Sequence, residues 1–498
     1  MERSETIGQS RLREHTRPLS WYNLALPFSE RRALLIVGDI AICVLVALAG
    51  FWVWRRFYPQ FASDPWSIQT QTKWLVILSF VWLVLIGVNE GYDLKVAARA
   101  GRIVRVLLVS TLILAFLYLL AFFVWGRASW TILLTDSRVS TLPRISPALF
   151  IVIVPFLSLL WRLAYARLFT SASLRRRAIA VGGGRAGLAL VHDIREAVPD
   201  YEIIGFIDDD PTKQSQLISG LPVLGDRENL VGVVQRTGVN EVILAITHEI
   251  HADLFQALMD CHEQGVEIRP MPTVYEELLG RVPVEHLGQK WFLAPMWTNS
   301  TMPTLFRAIK RLTDIALAAL GLAVLTLFLP IIALANRLTS PGPLFYAQER
   351  IGRGGKVFCM YKLRSMIPDA EQEGEALWAT KNDPRVTRVG RFLRRTRLDE
   401  LPQLLNVLRG EMSLVGPRPE RPEFVDELRE QIPFYCTRLS VKPGVTGWAQ
   451  IKYPYASSVQ DALVKLQYDL FYIKRQSPLL DALIMLRTVK VMLAFRGT

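Results

Sequence analysis

The chain has 498 residues, 51% of them hydrophobic, and a formal net charge of +13. Its mean hydropathy of +0.25 is high for a soluble protein and indicates membrane segments, and its length suggests about three domains. Many arginines border apolar runs, where membrane topology and anionic headgroups explain them, so no nucleic-acid partner is expected. The four cysteines lack zinc-site or disulfide spacing, and all six histidines precede residue 300, so the C-terminal third works without histidine.

The N-terminal part predicts a cytoplasmic tail, residues 1–30, and a four-helix transmembrane domain, residues 31–165. The tail is too long and too polar to be the charged start of a cleavable signal peptide. The apolar runs are Ala33–Trp54, Trp74–Val88, Val106–Trp125 and Ser146–Trp161. A spanning helix needs about 20 residues, so the second and fourth runs must extend into their flanks.

Loop charges predict the orientation of this domain. The loops on the side of its two ends carry fifteen Lys and Arg residues, against six on the opposite side. Both ends are therefore expected in the cytoplasm. Asp39, inside the first run, is expected to face a neighbouring helix or the interface, with a functional intramembrane acid as the alternative.

Residues 174–272 alternate short β-rich runs with helical ones, which predicts a Rossmann-like α/β domain with a parallel sheet. Gly182, Gly184 and Gly187 form G-x-G-x-x-G after the first run, and Asp208 closes the second, as in a dinucleotide fold. One interpretation of the pattern is a bound nucleotide or nucleotide-sugar. A doubly wound fold kept for packing or subunit pairing is the alternative, and it stays open.

Redox catalysis by this domain is disfavoured, because the tyrosine and lysine of a short-chain dehydrogenase or epimerase, four residues apart, are missing. Tyr201 is followed by Gly205, and Tyr275 by Leu279. The next segment, residues 273–305, is expected to be a linker into a catalytic domain at 306–498.

The catalytic domain begins with an apolar run that is long enough to span a membrane. Pro330 interrupts this run, and proline breaks or kinks a helix. The run over 314–337 is therefore expected to be re-entrant, entering one leaflet and returning, with a kinked spanning helix as the alternative. Topology favours the return, since the middle domain emerges in the cytoplasm and a crossing would carry the charged remainder of the chain to the other side.

The strongest candidate site runs from Arg394 to Glu420, where an arginine cluster that includes Arg397 leads straight into Asp399 and Glu400. Pro402 follows, and proline is tolerated only in the first turn of a helix, so a helix is expected to begin near Asp399. Its predicted buried stripe and end are Leu401, Leu404, Leu405, Leu408 and Gly410.

Both carboxylates would then lie at a helix N-terminus beside arginines, which favours their ionised form and also suits a phosphate. An acid that stays charged beside an anionic substrate is either a metal ligand or a nucleophile. An ordinary acidic first turn is the alternative, but it leaves the arginine cluster and the rigid turn at Gly416–Glu420 unexplained.

Other cations of the same domain look like contacts for a pyrophosphate, namely Lys362, Arg364, Arg418 and the basic loop at 350–356. Trp448, after a glycine-rich run, is expected to stack on a base or to lie at the interface. Val459–Tyr472 and Leu479–Phe495 are expected to be helices on the membrane surface, or packed core helices.

Three segments, Ser340–Met366, Arg394–Glu420 and Lys442–Ile451, resemble the signature of the bacterial sugar transferases that act on polyprenyl phosphate, the monotopic phosphoglycosyl transferases. The resemblance implies an enzyme of the bacterial inner membrane whose catalytic domain faces the cytoplasm. It would transfer a sugar-1-phosphate from a UDP-sugar to undecaprenyl phosphate, release UMP, and so initiate exopolysaccharide, capsule or O-antigen assembly.

The resemblance also implies roles for single residues. Asp399 is the nucleophile that forms a covalent aspartyl phosphosugar, and Glu400 binds Mg²⁺. The implied phosphate contacts are Lys362, Arg364, Arg397 and Arg418.

The re-entrant helix of the family breaks at a proline, here Pro330, usually after a serine, whereas this chain has Leu329. Glucose is favoured by the Tyr453–Tyr472 segment, and large family members carry a middle domain for regulation or homodimer formation. The expected fold is thus a mixed membrane protein: a four-helix transmembrane bundle, a Rossmann-like α/β domain, and an α-rich catalytic domain with re-entrant and interfacial helices.

Two other functions stay open on the sequence. One is an NAD-dependent nucleotide-sugar oxidoreductase that works through the middle domain, which bound NAD and hydride transfer would reveal. The other is a non-catalytic membrane scaffold for polysaccharide export, which would release no UMP.

Overall fold

The computed structural model describes residues 28–57, 59, 65–97, 99–132, 145–169, 176–198, 201–214, 216–246, 250–286, 304–367, 370, 384–453 and 458–493. The predicted cytoplasmic tail lies outside these residues except for its last three. The chain divides into two compact units, Met1–Met271 and Pro272–Thr498.

The first unit begins with the apolar helices that the sequence predicts. They are α1 (Phe28–Phe57), α2 (Pro65–Val88), the short α3 (Leu94–Ala97), α4 (Ala100–Ile132) and α5 (Ile145–Phe169). Apart from α3, each is long and apolar enough to cross a membrane. Trp82, Ile86 and Phe150 lie in their shared core, while Val37, Phe80 and other large apolar side chains are exposed on the outside. An apolar core with an apolar exterior is the composition expected of helices surrounded by lipid.

Asp39 of α1 faces a neighbouring helix, as expected, and forms an ion pair with Arg162 of α5 at 2.6 Å. Both side chains are buried. Arg162 also donates to the Gly91 carbonyl and lies over the Tyr92 ring. Arg162 is one of the fifteen charges that the sequence assigns to loops on the side of the two ends. That assignment is wrong, because Arg162 lies inside the bundle, where the buried carboxylate of Asp39 needs a cation.

The α/β part of the first unit contains a six-stranded sheet. Its strands are β1 (Arg176–Val181), β2 (Tyr201–Ile207), β3 (Leu217–Ile218), β4 (Leu221–Gly225), β5 (Glu241–Leu244) and β6 (Glu267–Pro270), and its helices are α6 (Arg185–Ala197), α7 (Leu230–Thr237) and α8 (Ala252–Glu263). The strand order is β3-β4-β2-β1-β5-β6, parallel except for the β3–β4 pair. Alternation of β-rich and helical runs thus correctly predicts an α/β domain with a parallel sheet.

The second unit holds the candidate site. Its helices are α9 (Met271–Leu279), α10 (Thr304–Thr339), α11 (Arg388–Thr396), α12 (Leu404–Arg409), α13 (Pro422–Gln431), α14 (Trp448–Lys452), α15 (Val459–Lys474) and α16 (Pro478–Leu493). Its strands are β7 (Phe345–Ile351), β8 (Val357–Leu363), β9 (Ser413–Val415) and β10 (Gly444–Thr446). Strands β7 and β8 form an antiparallel hairpin, and β9 pairs with β10 in parallel.

The first part of the predicted linker is an integral part of this unit. Glu276 of α9 pairs with Lys474 of α15 at 2.7 Å, and the Trp448 ring nitrogen donates to the Gly280 carbonyl. Val282 and Val284 are buried in a core with α13 and α15. Since these contacts need the folded domain, the catalytic unit begins near residue 272 rather than 306; residues 287–303 of the predicted linker lie outside the described residues.

Helix α10 continues through Pro330, so the helix break predicted at this proline is not present. Proline removes one N–H and displaces one carbonyl, which a bent helix accommodates without ending. The buried residues of α10 recur with helical spacing along its whole length: Phe306, Asp314, Ala318, Leu325, Ile332 and Asn336. Between them, Leu320, Leu327, Ile331 and other large apolar residues are exposed. One narrow stripe therefore packs on the domain on both sides of Pro330.

The two last helices differ in environment. Helix α15 buries Leu463, Leu466 and Leu470, so it is a core helix and not one that lies on a membrane surface. Helix α16 buries Ile484 but exposes Leu479 and Val489, so an apolar surface remains there.

Candidate active site

The two adjacent carboxylates lie on a turn between two helices. Arg397 ends α11 in a left-handed conformation, with φ of 56°, and Leu398–Gln403 then form a 3₁₀ turn before α12. The helix predicted to begin near Asp399 thus begins as 3₁₀ and becomes α-helical only at Leu404. Gly410 ends α12 as expected, with φ of 87°, but Leu405 of the predicted buried stripe is 37% exposed.

Glu400 is held by two arginines. Its Oε1 accepts from Arg418 at 2.8 Å, and its Oε2 lies 3.4 Å from Arg397 Nη1. Burial alone would raise the pKa of Glu400, but Arg418, Lys362 and Arg397 outweigh it and lower the pKa to about 2. Because the guanidinium groups stabilise the charged form, Glu400 is a permanently ionised carboxylate.

Asp399 has the opposite environment. Its carboxylate is buried but makes no hydrogen bond or ion pair with any described residue. Burial, followed by the negative charge of Glu400, raises the pKa of Asp399 to about 6, against the opposing charges of Lys362, Arg394 and Arg418. Two neighbouring acids thus have their pKa values pushed apart, which is a common sign of separate chemical roles.

Lys362 supplies the third charge of this site, from strand β8. Burial and the charge of Arg418 lower the pKa of Lys362 to about 8, while Glu400 and Asp399 oppose that shift. Its ammonium makes no hydrogen bond with a described residue. The structure therefore brings Lys362, Arg397 and Arg418 together around the carboxylate pair, as the sequence predicts.

Buried Asn406 of α12 holds strand β8 beside the carboxylate turn. Its amide nitrogen donates to the Cys359 carbonyl at 2.7 Å, and its oxygen accepts from the Tyr361 N–H at 3.3 Å. Nothing in the spacing of the sequence singles out this residue, because its two partners in β8 are more than forty positions away.

Arg364 does not join the site. Its buried guanidinium donates to the carbonyls of Ser340 and Pro341, and a Cβ at Gly342 would overlap it. The sequence predicts Arg364 as a phosphate contact, but its guanidinium instead holds the turn at the end of α10, so we do not retain it as a phosphate contact.

A buried network of side chains around Arg438, which the sequence does not predict, supports the backbone at Arg418. Arg438 donates to the Arg418 carbonyl at 3.0 Å and to the Asp469 carboxylate at 2.8 Å. Its guanidinium also lies 3.7 Å from Glu420. These contacts hold the backbone carbonyl of Arg418 and the nearby Glu420 side chain, so the side chain that contacts Glu400 extends from a rigid support.

Trp448 is part of the core and is not exposed for stacking on a base. Its ring packs on Phe471, donates to the Gly280 carbonyl and lies under Lys452. The predicted role of Trp448 at a base or at the membrane interface is therefore wrong.

The donor set fits Mg²⁺ only together with a substrate. No cluster of three or more His, Cys, Asp or Glu side chains able to hold a metal occurs among the described residues. Mg²⁺ is, however, often bound by one or two carboxylates together with substrate phosphates. The oxygens of Asp399 make no hydrogen bond with a described residue, and each Glu400 oxygen keeps a lone-pair position beyond its arginine contact.

In the middle domain, the side chain of Asp208 occupies part of the space beside the glycine-rich loop. Gly182 has φ of 104°, and a Cβ at Gly187 would overlap the Gly182 carbonyl, so the close approach of α6 to this loop requires glycine. Gly184 precedes α6 with open space at its Cβ position. Asp208 accepts from the Gly183 N–H at 2.7 Å and from Lys213 at 3.0 Å. A loop amide that a phosphate would use is thus already bonded to Asp208.

Comparison with known families agrees with this division. A model of the bacterial sugar transferase family matches residues 305–495, and a model of a CoA-binding domain matches residues 88–272. The first match contains the hairpin, the carboxylate turn and its arginines.

Three relatives illustrate the range of the family. The chain is 40% identical over 241 residues to a UDP-N-acetylgalactosamine-undecaprenyl-phosphate N-acetylgalactosaminephosphotransferase of Aeromonas hydrophila, which covers 48% of this chain and 55% of that protein. It is 36% identical to a UDP-glucose:undecaprenyl-phosphate glucose-1-phosphate transferase of Xanthomonas campestris, over 55% of this chain and 57% of that protein. It is 31% identical to an undecaprenyl-phosphate galactose phosphotransferase of Salmonella typhimurium, over 65% of this chain and 69% of that protein.

The chain thus spans little more than half the length of two of these relatives and over two thirds of the third. The family match covers the whole carboxylate site. On this evidence the chain belongs to the bacterial sugar transferases.

Proposed function

We propose that this chain transfers a sugar-1-phosphate from a UDP-sugar to undecaprenyl phosphate and releases UMP. The observation that carries the proposal is the open carboxylate of Asp399, next to Glu400, which Arg418 and Arg397 hold ionised. An open, buried carboxylate surrounded by cations is suited to attack a phosphorus atom whose oxygens those cations bind.

The reaction is proposed in two displacements. The Asp399 carboxylate attacks the phosphorus that bears the sugar, a new oxygen–phosphorus bond forms, and the bond to the UMP oxygen breaks. A phosphate oxygen of the lipid then attacks the same phosphorus, and the aspartyl bond breaks to release Asp399. Lys362 and Arg418 neutralise the donor diphosphate in the first step and the two phosphate groups that are joined in the second, since both residues lie beside the carboxylates.

A bound Mg²⁺, when present, would neutralise diphosphate charge. Glu400 is the residue proposed to hold it, because adjacent Asp399 is needed for attack. The charge of Glu400 would be shared between the metal and Arg418, and Arg418 would keep the carboxylate in place.

We propose that α10 enters one leaflet and returns, bent rather than broken at Pro330. The proposal is supported by contacts between the catalytic domain and the helix near both of its ends. Lys310 pairs with Asp481 at 2.6 Å, and Asn336 donates to the Arg364 carbonyl. Because the same folded domain contacts the helix near both of its ends, both ends are proposed to lie on one side of the membrane.

The apolar helices make this a membrane-associated protein, and we propose the bacterial inner membrane with the site on the cytoplasmic side, where UDP-sugars are made. The reaction would begin the assembly of a surface polysaccharide. Relatives carry names with glucose, galactose and N-acetylgalactosamine, and glucose is our preferred sugar. The Rossmann-like middle domain is proposed to pair or regulate subunits of a homodimer, since Asp208 already accepts from the Gly183 N–H that a bound phosphate would use.

The test is a panel of UDP-sugars offered to the purified full-length chain in nanodiscs that contain undecaprenyl phosphate. UMP release with at least one sugar, lost on chelation of Mg²⁺ and in Asp399→Asn, is expected. No UMP with any sugar, as for an export scaffold, or hydride transfer with bound NAD instead, would overturn the proposal.

A further inference from the structure

One face of helix α15 packs along the turn that carries Arg418. Three residues share this face, because they are separated by four and three positions in the helix: Lys465, Asp469 and Tyr472. Tyr472 donates to the Val415 carbonyl at the start of the turn, at 3.1 Å. Asp469 accepts from Arg438, which donates to the Arg418 carbonyl at 3.0 Å. The face therefore follows the turn, and Lys465 is its next position.

Lys465 reaches this turn without a partner of its own. Its ammonium makes no hydrogen bond or ion pair with a described residue. Glu420 is the nearest acid of the turn, but Arg438 at 3.7 Å and Arg350 at 3.9 Å already share its carboxylate. Burial lowers the pKa of Lys465, and the charges of Glu420 and Arg418 act on it in opposite directions. A partly buried ammonium without an ion-pair partner is stabilised by a bound anion.

Arg418 lies between Lys465 and the two acids of the site. Its guanidinium contacts Glu400 at 2.8 Å, whereas the α15 face lies behind its carbonyl. The strongest charges that act on the pKa of Lys362 include both acids, and the strongest that act on Lys465 include neither. The two lysines thus lie on two sides of Arg418, with Lys362 beside Asp399 and Lys465 beyond it.

The two displacements require a phosphate position opposite Asp399. In phosphoryl transfer the attacking and leaving oxygens lie roughly in line with the phosphorus. When Asp399 attacks the phosphorus that bears the sugar, UMP therefore leaves from the far side. The lipid phosphate must attack from that same far side, because the aspartyl oxygen is then the leaving group. One position thus holds the phosphate of UMP in the first step and the phosphate of the lipid in the second.

On the basis of the proposed function, we propose that Lys465 binds the phosphate group opposite Asp399, first that of the departing UMP and then that of the lipid acceptor. The ammonium moves no proton. It stabilises the negative charge on the oxygen whose bond to phosphorus breaks in the first step, and the charge on the lipid phosphate whose oxygen forms a bond in the second. Because the contact is made to phosphate, it should not depend on which sugar is transferred.

UMP and uridine together separate a phosphate contact from general damage to the site. Lys465→Met keeps the length of the side chain and removes its charge. Equilibrium dialysis with the full-length protein in nanodiscs and Mg²⁺ present measures both ligands. The variant should bind UMP about ten- to a hundredfold more weakly and uridine unchanged, while Lys465→Arg should retain most of the preference for UMP. The control Lys490→Met, at an exposed lysine of α16, should change neither affinity.

A second arm of the experiment tests the lipid phosphate. Protein that already carries the phosphosugar is mixed with undecaprenyl phosphate, and the single-turnover rate of transfer should fall by a similar factor in Lys465→Met. Equal losses of UMP and uridine affinity, an unchanged affinity for UMP, or an unchanged rate of transfer to the lipid would each overturn the proposal. If the wild-type protein neither binds UMP nor releases it from any UDP-sugar, the proposed function itself fails, and the role of Lys465 with it.

Discussion

The guanidinium of Arg418 lies 2.8 Å from Glu400, and this contact is what separates the two acids of the site. Glu400 keeps its charge because two arginines hold it. Burial, together with this negative charge, raises the pKa of neighbouring Asp399. The nucleophile we propose is therefore neither paired nor fully solvated. Such a carboxylate is more reactive than one held in an ion pair, because attack does not require the breaking of a hydrogen bond.

The pH dependence of kcat/KM should be bell-shaped. Asp399 must be ionised to attack, and its pKa is raised to about 6, so activity should fall as pH decreases through that value. Lys362 must be protonated to bind phosphate, and its pKa is lowered to about 8, so activity should fall again above it. Lys362→Arg should remove the alkaline decline, because arginine stays charged. UMP release across pH 5 to 10 checks this, and a flat profile between about 5 and 9 would contradict it.

The adjacent acids should have opposite effects on stability at pH 7. The pKa of Asp399 is raised from 3.8 to about 6, so the ionised form that predominates at pH 7 weakens the folded state, and Asp399→Asn should raise Tm. The pKa of Glu400 is lowered from 4.5 to about 2, so its charge stabilises the fold above that range, and Glu400→Gln should lower Tm. Each effect is on the order of 1–3 kcal/mol. Thermal unfolding of the detergent-solubilised variants measures both effects. Equal Tm shifts of the same sign would show that the pKa values of the two acids are not shifted in opposite directions.

Local features of the site were predictable because neighbours in sequence create them. Asp399, Glu400 and the end of α12 at Gly410 follow from a cation cluster, a proline and a glycine within a short stretch. Lys362 and Arg418 lie beside the carboxylates because the motifs that contain them converge on the same turn, and their role as phosphate contacts stays a prediction.

Features that depend on distant parts of the chain were not predictable. Arg364 is diverted to the Ser340 carbonyl, and Trp448 to the Gly280 carbonyl, by folding of segments far away in sequence. Arg438 shows no signal at all, since its partner Asp469 is thirty-one positions away. Pro330 was expected to end a helix, but packing of α10 on both sides of it retains the helix.

The beginning of the catalytic unit gives a truncation test. A chain that starts at Pro272 keeps Glu276, Val282 and Val284 in their buried positions, and it should retain transfer activity without the first unit. A chain that starts at Met302 loses these contacts and should unfold several degrees lower, with activity reduced in proportion to the folded fraction. If the longer truncated chain is folded but inactive, the glycine loop at Gly182 and Gly187 has a catalytic role that our account does not include.

The course of α10 can be tested with single cysteines. Arg307 and Arg337 are exposed near its two ends, so Arg307→Cys and Arg337→Cys should both react with a membrane-impermeant maleimide only from the cytoplasmic side. Cys359 and Cys436 are replaced by serine to lower the background. Labelling of the second position from outside would show that α10 spans the membrane, and the re-entrant proposal would then be wrong.

The central claim is that Asp399 carries the phosphosugar between donor and acceptor. The most direct measurement is the intact mass of the wild-type protein after incubation with UDP-sugar and Mg²⁺ but without lipid acceptor, together with the UMP released. We predict a mass gain of one sugar phosphate on the peptide that contains Asp399, and release of one UMP per enzyme molecule. Both should be lost in Asp399→Asn but kept in a distant control such as Asp426→Asn. Release of UMP only when both substrates are present, with no mass added to Asp399, would contradict the account.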